Sequence, residues 1–125
     1  MALFTVTTNS YVNLPPSQVG NNSVTTDYGV SYAFSVADFT TNTTPVYADP
    51  EGDSAATLKI TSLPATGTLE FNSVAVVVND TIAFTGTPSI ANGNLIYIPD
   101  NGTTTAYSDN FNFEIADSGS GTFVG

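Results

Sequence analysis

The stretch Phe111-Asn112-Phe113-Glu114-Ile115-Ala116-Asp117 alternates large apolar side chains with small or polar ones. Phe111, Phe113 and Ile115 fall on one side of an extended chain, and Asn112, Glu114 and Ala116 on the other. That is the pattern of a strand with one face buried. The same period of two recurs upstream. Tyr32, Phe34 and Val36 alternate with Ser31, Ala33 and Ser35, which predicts a strand over 31–39. Leu58 and Ile60 alternate with Thr57, Lys59 and Thr61, which predicts another over 57–63. Leu69 and Phe71 stand before Asn72-Ser73 and the Val74–Val78 run after it, so Asn72-Ser73 reads as a hairpin turn. Ile82 with Phe84 makes a further short strand. Leu95–Ile98 makes another, behind the turn Asn92-Gly93-Asn94.

No long window carries apolar residues at a 3.6-residue spacing, so no helix is expected. The prolines fall between the strands, where a missing N–H does no harm. Many short strands separated by frequent turns predict an all-β, antiparallel sandwich of about seven strands, occupying residues 15–125. Residues 1–14 form an N-terminal arm ahead of it. A closed barrel is the alternative, disfavoured by the unequal strand lengths and irregular connections.

Composition narrows the function. Of 125 residues 41% are hydrophobic, enough for one core and too many for a disordered acidic tail. Eleven acids face a single base, Lys59, for a net charge of −10. Such a surface repels phosphate, so neither nucleic acid nor an anionic membrane is an expected partner. No segment approaches the ~20 apolar residues that span a bilayer, so no membrane insertion is expected. The first twelve residues lack the basic and long apolar regions of a secretory signal. With no cysteine and no histidine, disulfides, the usual zinc sites and imidazole acid–base chemistry are absent. A pair of acids suffices for glycoside hydrolysis. Here, however, the acids crowd one turn, with no tryptophan and no long loops to build a sugar cleft, so the reading is non-enzymatic.

The turn is Asp49-Pro50-Glu51-Gly52-Asp53. Three carboxylates on alternate positions, with a glycine permitting a sharp bend, suit a hard cation that takes oxygen ligands, and Ca2+ is the expected ion. The competing reading is a solvated acidic loop. Placing the strands side by side brings more acids to the same pole. Asp38 would close the strand over 31–39, and Asp117 would close the strand beginning at Phe111. Five carboxylates, Asp38, Asp49, Glu51, Asp53 and Asp117, would then converge, and crowding of that kind is unfavourable without a cation. Asp27 and Asp109 fall at the opposite pole; Asp80 and Asp100 belong to turns.

These motifs together resemble the bacterial cadherin-like repeats found in tandem in large calcium-binding adhesins. The stretches that match are Asn22–Thr26, Tyr32–Phe39, Asp49–Asp53, Leu58–Pro64 with Gly67-Thr68-Leu69, Gly93-Asn94-Leu95 with Tyr97 and Pro99, and Tyr107–Asp117. Order and spacing agree over about residues 15–119. The resemblance implies an immunoglobulin-like sandwich, calcium within or between repeats, Asp49, Glu51 and Asp53 as ligands, and a role in adhesion or surface architecture. The family usually carries an acidic pair where this chain has Asp27-Tyr28.

Family repeats run on from the Asp117 position into a last strand, for which Thr122-Phe123-Val124 remain here. At the other end, residues 2–8 alternate as a strand should, and Asn13-Leu14-Pro15-Pro16 resembles an inter-repeat linker. The expectation is therefore a polymerisation arm, Leu3, Phe4, Thr5, Val6 and Thr7, lent to a neighbouring copy in a homo-oligomer or filament. Residues 2–8 folded back on their own domain, or 122–124 serving as a sufficient last strand, are the alternatives. The function expected is a calcium-stiffened structural subunit on a cell or virion surface. A single adhesin repeat or virion decoration module, binding a carbohydrate or a surface protein, is the rival reading.

Overall fold

A computed structural model describes all 125 residues. It contains seven strands: β1 (Tyr32–Ala33), β2 (Ala55–Ser62), β3 (Thr68–Phe71), β4 (Val74–Ala75), β5 (Thr81–Ala83), β6 (Leu95–Ile98) and β7 (Asn112–Asp117). They form two antiparallel sheets, one ordered β1-β6-β3-β4 and the other β5-β2-β7. Leu58 and Ile60 of β2, Ile82 of β5 and Ile115 of β7 face Leu69 of β3 and Leu95 of β6 across one shared core. β2, β3, β5, β6 and β7 therefore keep an apolar face inward.

The β3–β4 hairpin lies where the sequence puts it. Asn72 and Ser73 take positive φ values of 50° and 66°. Two such residues in succession match the right-handed twist of the flanking strands. Of the Val74–Val78 run only Val74 and Ala75 pair; Val76 turns into the core, while Val77 and Val78 are exposed.

The strand predicted over 31–39 is corrected. The hydrogen bonds to β6 end at Phe34, whose N–H donates to the Leu95 carbonyl at 3.0 Å, and Val36–Phe39 coils into a single helical turn, α1, where no helix was expected. Its cause is local. Ser35 and Asp38 form a reciprocal capping box, and the Asp38 carboxylate accepts the Ser35 N–H at 2.9 Å. The turn drives Phe39 into the core, where its ring packs edge-on to Phe84 and Phe113.

The expected inward residues Phe34, Leu58, Ile60, Leu69 and Ile115 are buried. Tyr32, Val36, Phe111 and Phe113 are only half-buried against that core. Ahead of β1, residues 18–21 run alongside 44–48 through isolated bridges, Gln18 to Ala48 and Asn21 to Thr44. Gly20 is required there, because a Cβ would lie 1.8 Å from the Pro45 carbonyl oxygen. After β7 the chain returns, and Val124 exchanges both backbone hydrogen bonds with Ile115, at 2.8 and 2.9 Å.

Candidate metal centre

Asp117 ends β7 and pairs in register with Ala55 at the start of β2, so the loop entering β2 and the turn leaving β7 meet at one pole. The Asp49–Asp53 loop is shaped by its own first residue. Asp49 Oδ1 accepts the N–H groups of Glu51 and Asp53, at 2.9 and 3.0 Å. Gly52 takes φ 79°, a conformation few other residues adopt. The result places carboxylate oxygens of Asp49, Glu51 and Asp53 within 4.8 Å of one another. Oxygens bound to one calcium ion at 2.3–2.6 Å are separated by at most about 5 Å.

Two further residues close over this loop. Asn13 Nδ2 donates to Asp53 Oδ2 at 2.7 Å, and the Leu14 N–H donates to Glu51 Oε1. Asp117 is 96% buried, and its Oδ1 accepts from the Ser120 hydroxyl, the Ser120 N–H and the Gly119 N–H. Burial opposes ionisation of Asp117. The Ser120 and Gly119 donors, with a side-chain contact to Asp49, outweigh it and hold the carboxyl below its usual 3.8. Tyr47 reports on the same field. Its hydroxyl is pushed up to about 12, first by burial and then by the charges of Asp49, Asp117 and Asp53.

Three buried side-chain oxygens in the whole chain have no hydrogen-bond partner: Asn13 Oδ1, Asp49 Oδ2 and Asp117 Oδ2. All three belong to this pole. In Asp49 and Asp117 the protein holds one carboxylate oxygen with backbone N–H groups and leaves the other bare. In Asn13 it uses the amide nitrogen and leaves the oxygen. Buried polar atoms are rarely left so, and no positive side chain compensates them. Lys59 pairs with Glu114 at 3.5 Å and lies over the Phe123 ring. The clustered oxygens of Asp49, Glu51 and Asp53, with no base among them, are the donor chemistry of a hard divalent cation; the 4.8 Å cluster does not include Asp117.

Asp38 is occupied elsewhere. Its Oδ2 takes the Ser35 N–H and the Tyr32 hydroxyl, at 2.9 and 3.0 Å, and its charge is felt at Tyr32 and not among the acids raising Tyr47. The expectation that it joins the other four rested on a strand continuing through 38, and the capping of α1 removes that geometry. Asn13 was the residue missed. An amide carries no charge to mark it, although its place in the Asn13-Leu14-Pro15-Pro16 linker was visible. Asp80 and Asp100 serve turns. Asp80 Oδ2 accepts the Val77 N–H, and Asp100 Oδ1 accepts the Gly102 N–H. At the far pole Asp109 gathers the N–H groups of Ala65, Thr66 and Gly67 and the Tyr97 hydroxyl.

The predicted arm is extruded. No hydrogen bond involves residues 1–10, and Leu3, Phe4 and Val6 are 88%, 89% and 75% exposed. Thr5 and Thr7 lie exposed between them. Comparison with protein-family models, with curated proteins and with solved structures finds no match to this chain.

Proposed function

We propose that this protein is a non-enzymatic, calcium-binding structural module whose copies join end to end on a cell surface, outside the cell or on a virion. The observation that carries the reading is the gathering of every orphaned buried oxygen at one pole, among three carboxylates and beside the base of an exposed arm. Asn13, Asp49, Glu51, Asp53 and Asp117 would hold the ion. Bound there, it would neutralise the crowded acids and fix the direction in which residues 1–12 leave the body.

The immunoglobulin-like and cadherin-like reading is supported by strand order. Three strands of one sheet run β1-β6-β3, and β2 pairs with β7 in the other, with Val124 adding a rudimentary last strand. With β1, β2, β3, β6 and β7 taken as strands B, C, D, E and F, this follows the division in an immunoglobulin sandwich; β5, which pairs with β2 but comes after β3, departs from its order. A structural role also suits the acids themselves, which are held by turn amides and not spread along a cleft.

Sedimentation velocity and negative-stain electron microscopy of the full chain, with millimolar calcium and with a chelator, test the reading. Extended assemblies in calcium that shorten or disperse on chelation are expected. A monomer indifferent to calcium at all concentrations would overturn it.

A further inference from the structure

The sandwich is open along one side. β7 is the outer strand of one sheet and β1 the outer strand of the other. Between them runs a groove of about 770 Å³, into which Phe34, Phe39, Phe111 and Phe113 face. It continues past Phe111 and Phe113 into a slot of about 350 Å³ that lies between residues 19–21 and Gly125. Phe111 and Phe113 line both.

The floor of this cleft offers a backbone edge that Gly125 abuts at the Phe113 carbonyl and that is open beyond it, toward Phe111. Ile60, the residue opposite Phe113, gives its N–H to Asp80 and its carbonyl to Asn79, both on the β5 side. Phe113 therefore points its own N–H and C=O away from β2, into the cleft. One residue pair along, Ile115 meets Val124 on that same edge. No turn or loop hydrogen bond reaches Phe111 or Phe113. An unpaired edge beside an aromatic groove is a template for an added strand.

We propose that this cleft receives residues 2–8 of a second copy of this chain, paired with the β7 edge and seating Phe4 and Val6 against Phe34, Phe39, Phe111 and Phe113. The inference rests on the assembly reading above and names its joint. Three features favour that occupant. Residues 2–8 span about 23 Å when extended at 3.3 Å per residue, long enough to pair at Asn112 and Phe113 of β7 and run on beside the segment that leads into it. Phe4 and Val6 lie on one side of an extended chain, and their exposure is unfavourable until something covers them. Residues 1–26 carry no charged side chain, while all eleven acids follow, so the arm meets no repulsion from a body lined here by Asp27, Asp38, Asp100 and Asp109.

The chain has no cysteine, which gives a clean crosslinking test. Full-length Thr5→Cys is mixed with full-length Asn112→Cys under mild oxidation, with Val74→Cys on the far hairpin as the control acceptor. Sedimentation of the unmodified protein is followed in parallel. A disulfide-linked heterodimer with Asn112→Cys, absent with Val74→Cys and lost when Phe4→Asp and Val6→Asp are added to the donor, is expected. Assembly by sedimentation without that crosslink overturns the cleft and leaves the assembly reading standing. An intramolecular disulfide in the Thr5→Cys/Asn112→Cys double variant, with the protein monomeric, overturns both.

Discussion

Asn13 and Asp53 stand 40 residues apart in the chain, and the amide of one donates to the carboxylate of the other at 2.7 Å. That bond joins the root of the N-terminal arm to the loop that opens β2. Asn13 Oδ1, like Asp49 Oδ2 and Asp117 Oδ2, is buried and left without a hydrogen-bond partner. The acidic loop and the root of the arm are thus tied together, and perturbing either should be felt at the other.

Gly119 packs directly on this joint. A Cβ there would lie 2.0 Å from Asn13 Nδ2, so Gly119→Ala must push Asn13 aside. Calcium affinity should fall about tenfold or more, in the range seen when groups that orient ligands are removed. The core should be undisturbed, since Gly119 is exposed. Calorimetric titration of the variant beside wild type checks this; unchanged affinity would remove Asn13 from the site.

Asp38 separates capping from metal binding. Asp38→Ala should lower stability by about 0.5–2 kcal/mol, the usual effect of losing a helix cap, and leave calcium affinity unchanged. Asp117→Asn should do the reverse and lose most calcium binding. Urea unfolding and calcium titration of both variants decide the assignment.

In the core, Phe84 is fully buried and Phe113 is half-exposed along the cleft. Phe84→Ala should therefore destabilise the monomer by about 3–5 kcal/mol, and Phe113→Ala by clearly less. Urea denaturation of the dilute protein measures both. Equal losses would mean that the cleft is closed in solution.

The alternation around Phe111–Asp117 and Leu58–Ile60 made two facing sheets legible, because a period of two survives wherever one face is buried. Asn72-Ser73 likewise announced its hairpin. Ser31–Phe39 misled because Tyr32, Phe34 and Val36 keep the same alternation. The Ser35–Asp38 capping pair inside it, a short-range signal, outweighed strand propensity. The acidic loop was plain from its charges. Asn13 was not, since a neutral amide has no charge to mark it and only folding brings it onto a distant loop. Ile90 could not be placed from its isolated position in a turn-rich stretch, yet it is fully buried.

Asp109 ties the 65–67 turn to Tyr97. Burial opposes its ionisation, but the Gly67, Ala65 and Thr66 N–H groups and the Tyr97 hydroxyl prevail and hold the carboxyl below its usual 3.8. A folded-state value below the unfolded one gives stability that is present above about pH 4 and is lost as pH falls through the depressed value. Asp109→Ala should accordingly be less stable than wild type at pH 6, by about 0.5–1.5 kcal/mol, since the Ala65 and Thr66 donors are exposed to water. The gap should narrow below pH 4. A gap that stays constant down to pH 2 would contradict this account of Asp109.

The claim on which the rest depends is that the pole of Asn13, Asp49, Glu51, Asp53 and Asp117 binds calcium. Isothermal titration of calcium into the metal-free full chain, paired with thermal melts, tests it most directly. The account predicts saturable heat and a melting temperature that rises with calcium, since an ion at 100 times its Kd adds about 2.7 kcal/mol to a native state that alone binds it. Both effects should vanish in the Asp49→Asn/Asp53→Asn double variant. No heat and no shift in melting temperature at millimolar calcium would contradict the account and leave the loop a solvated acidic turn.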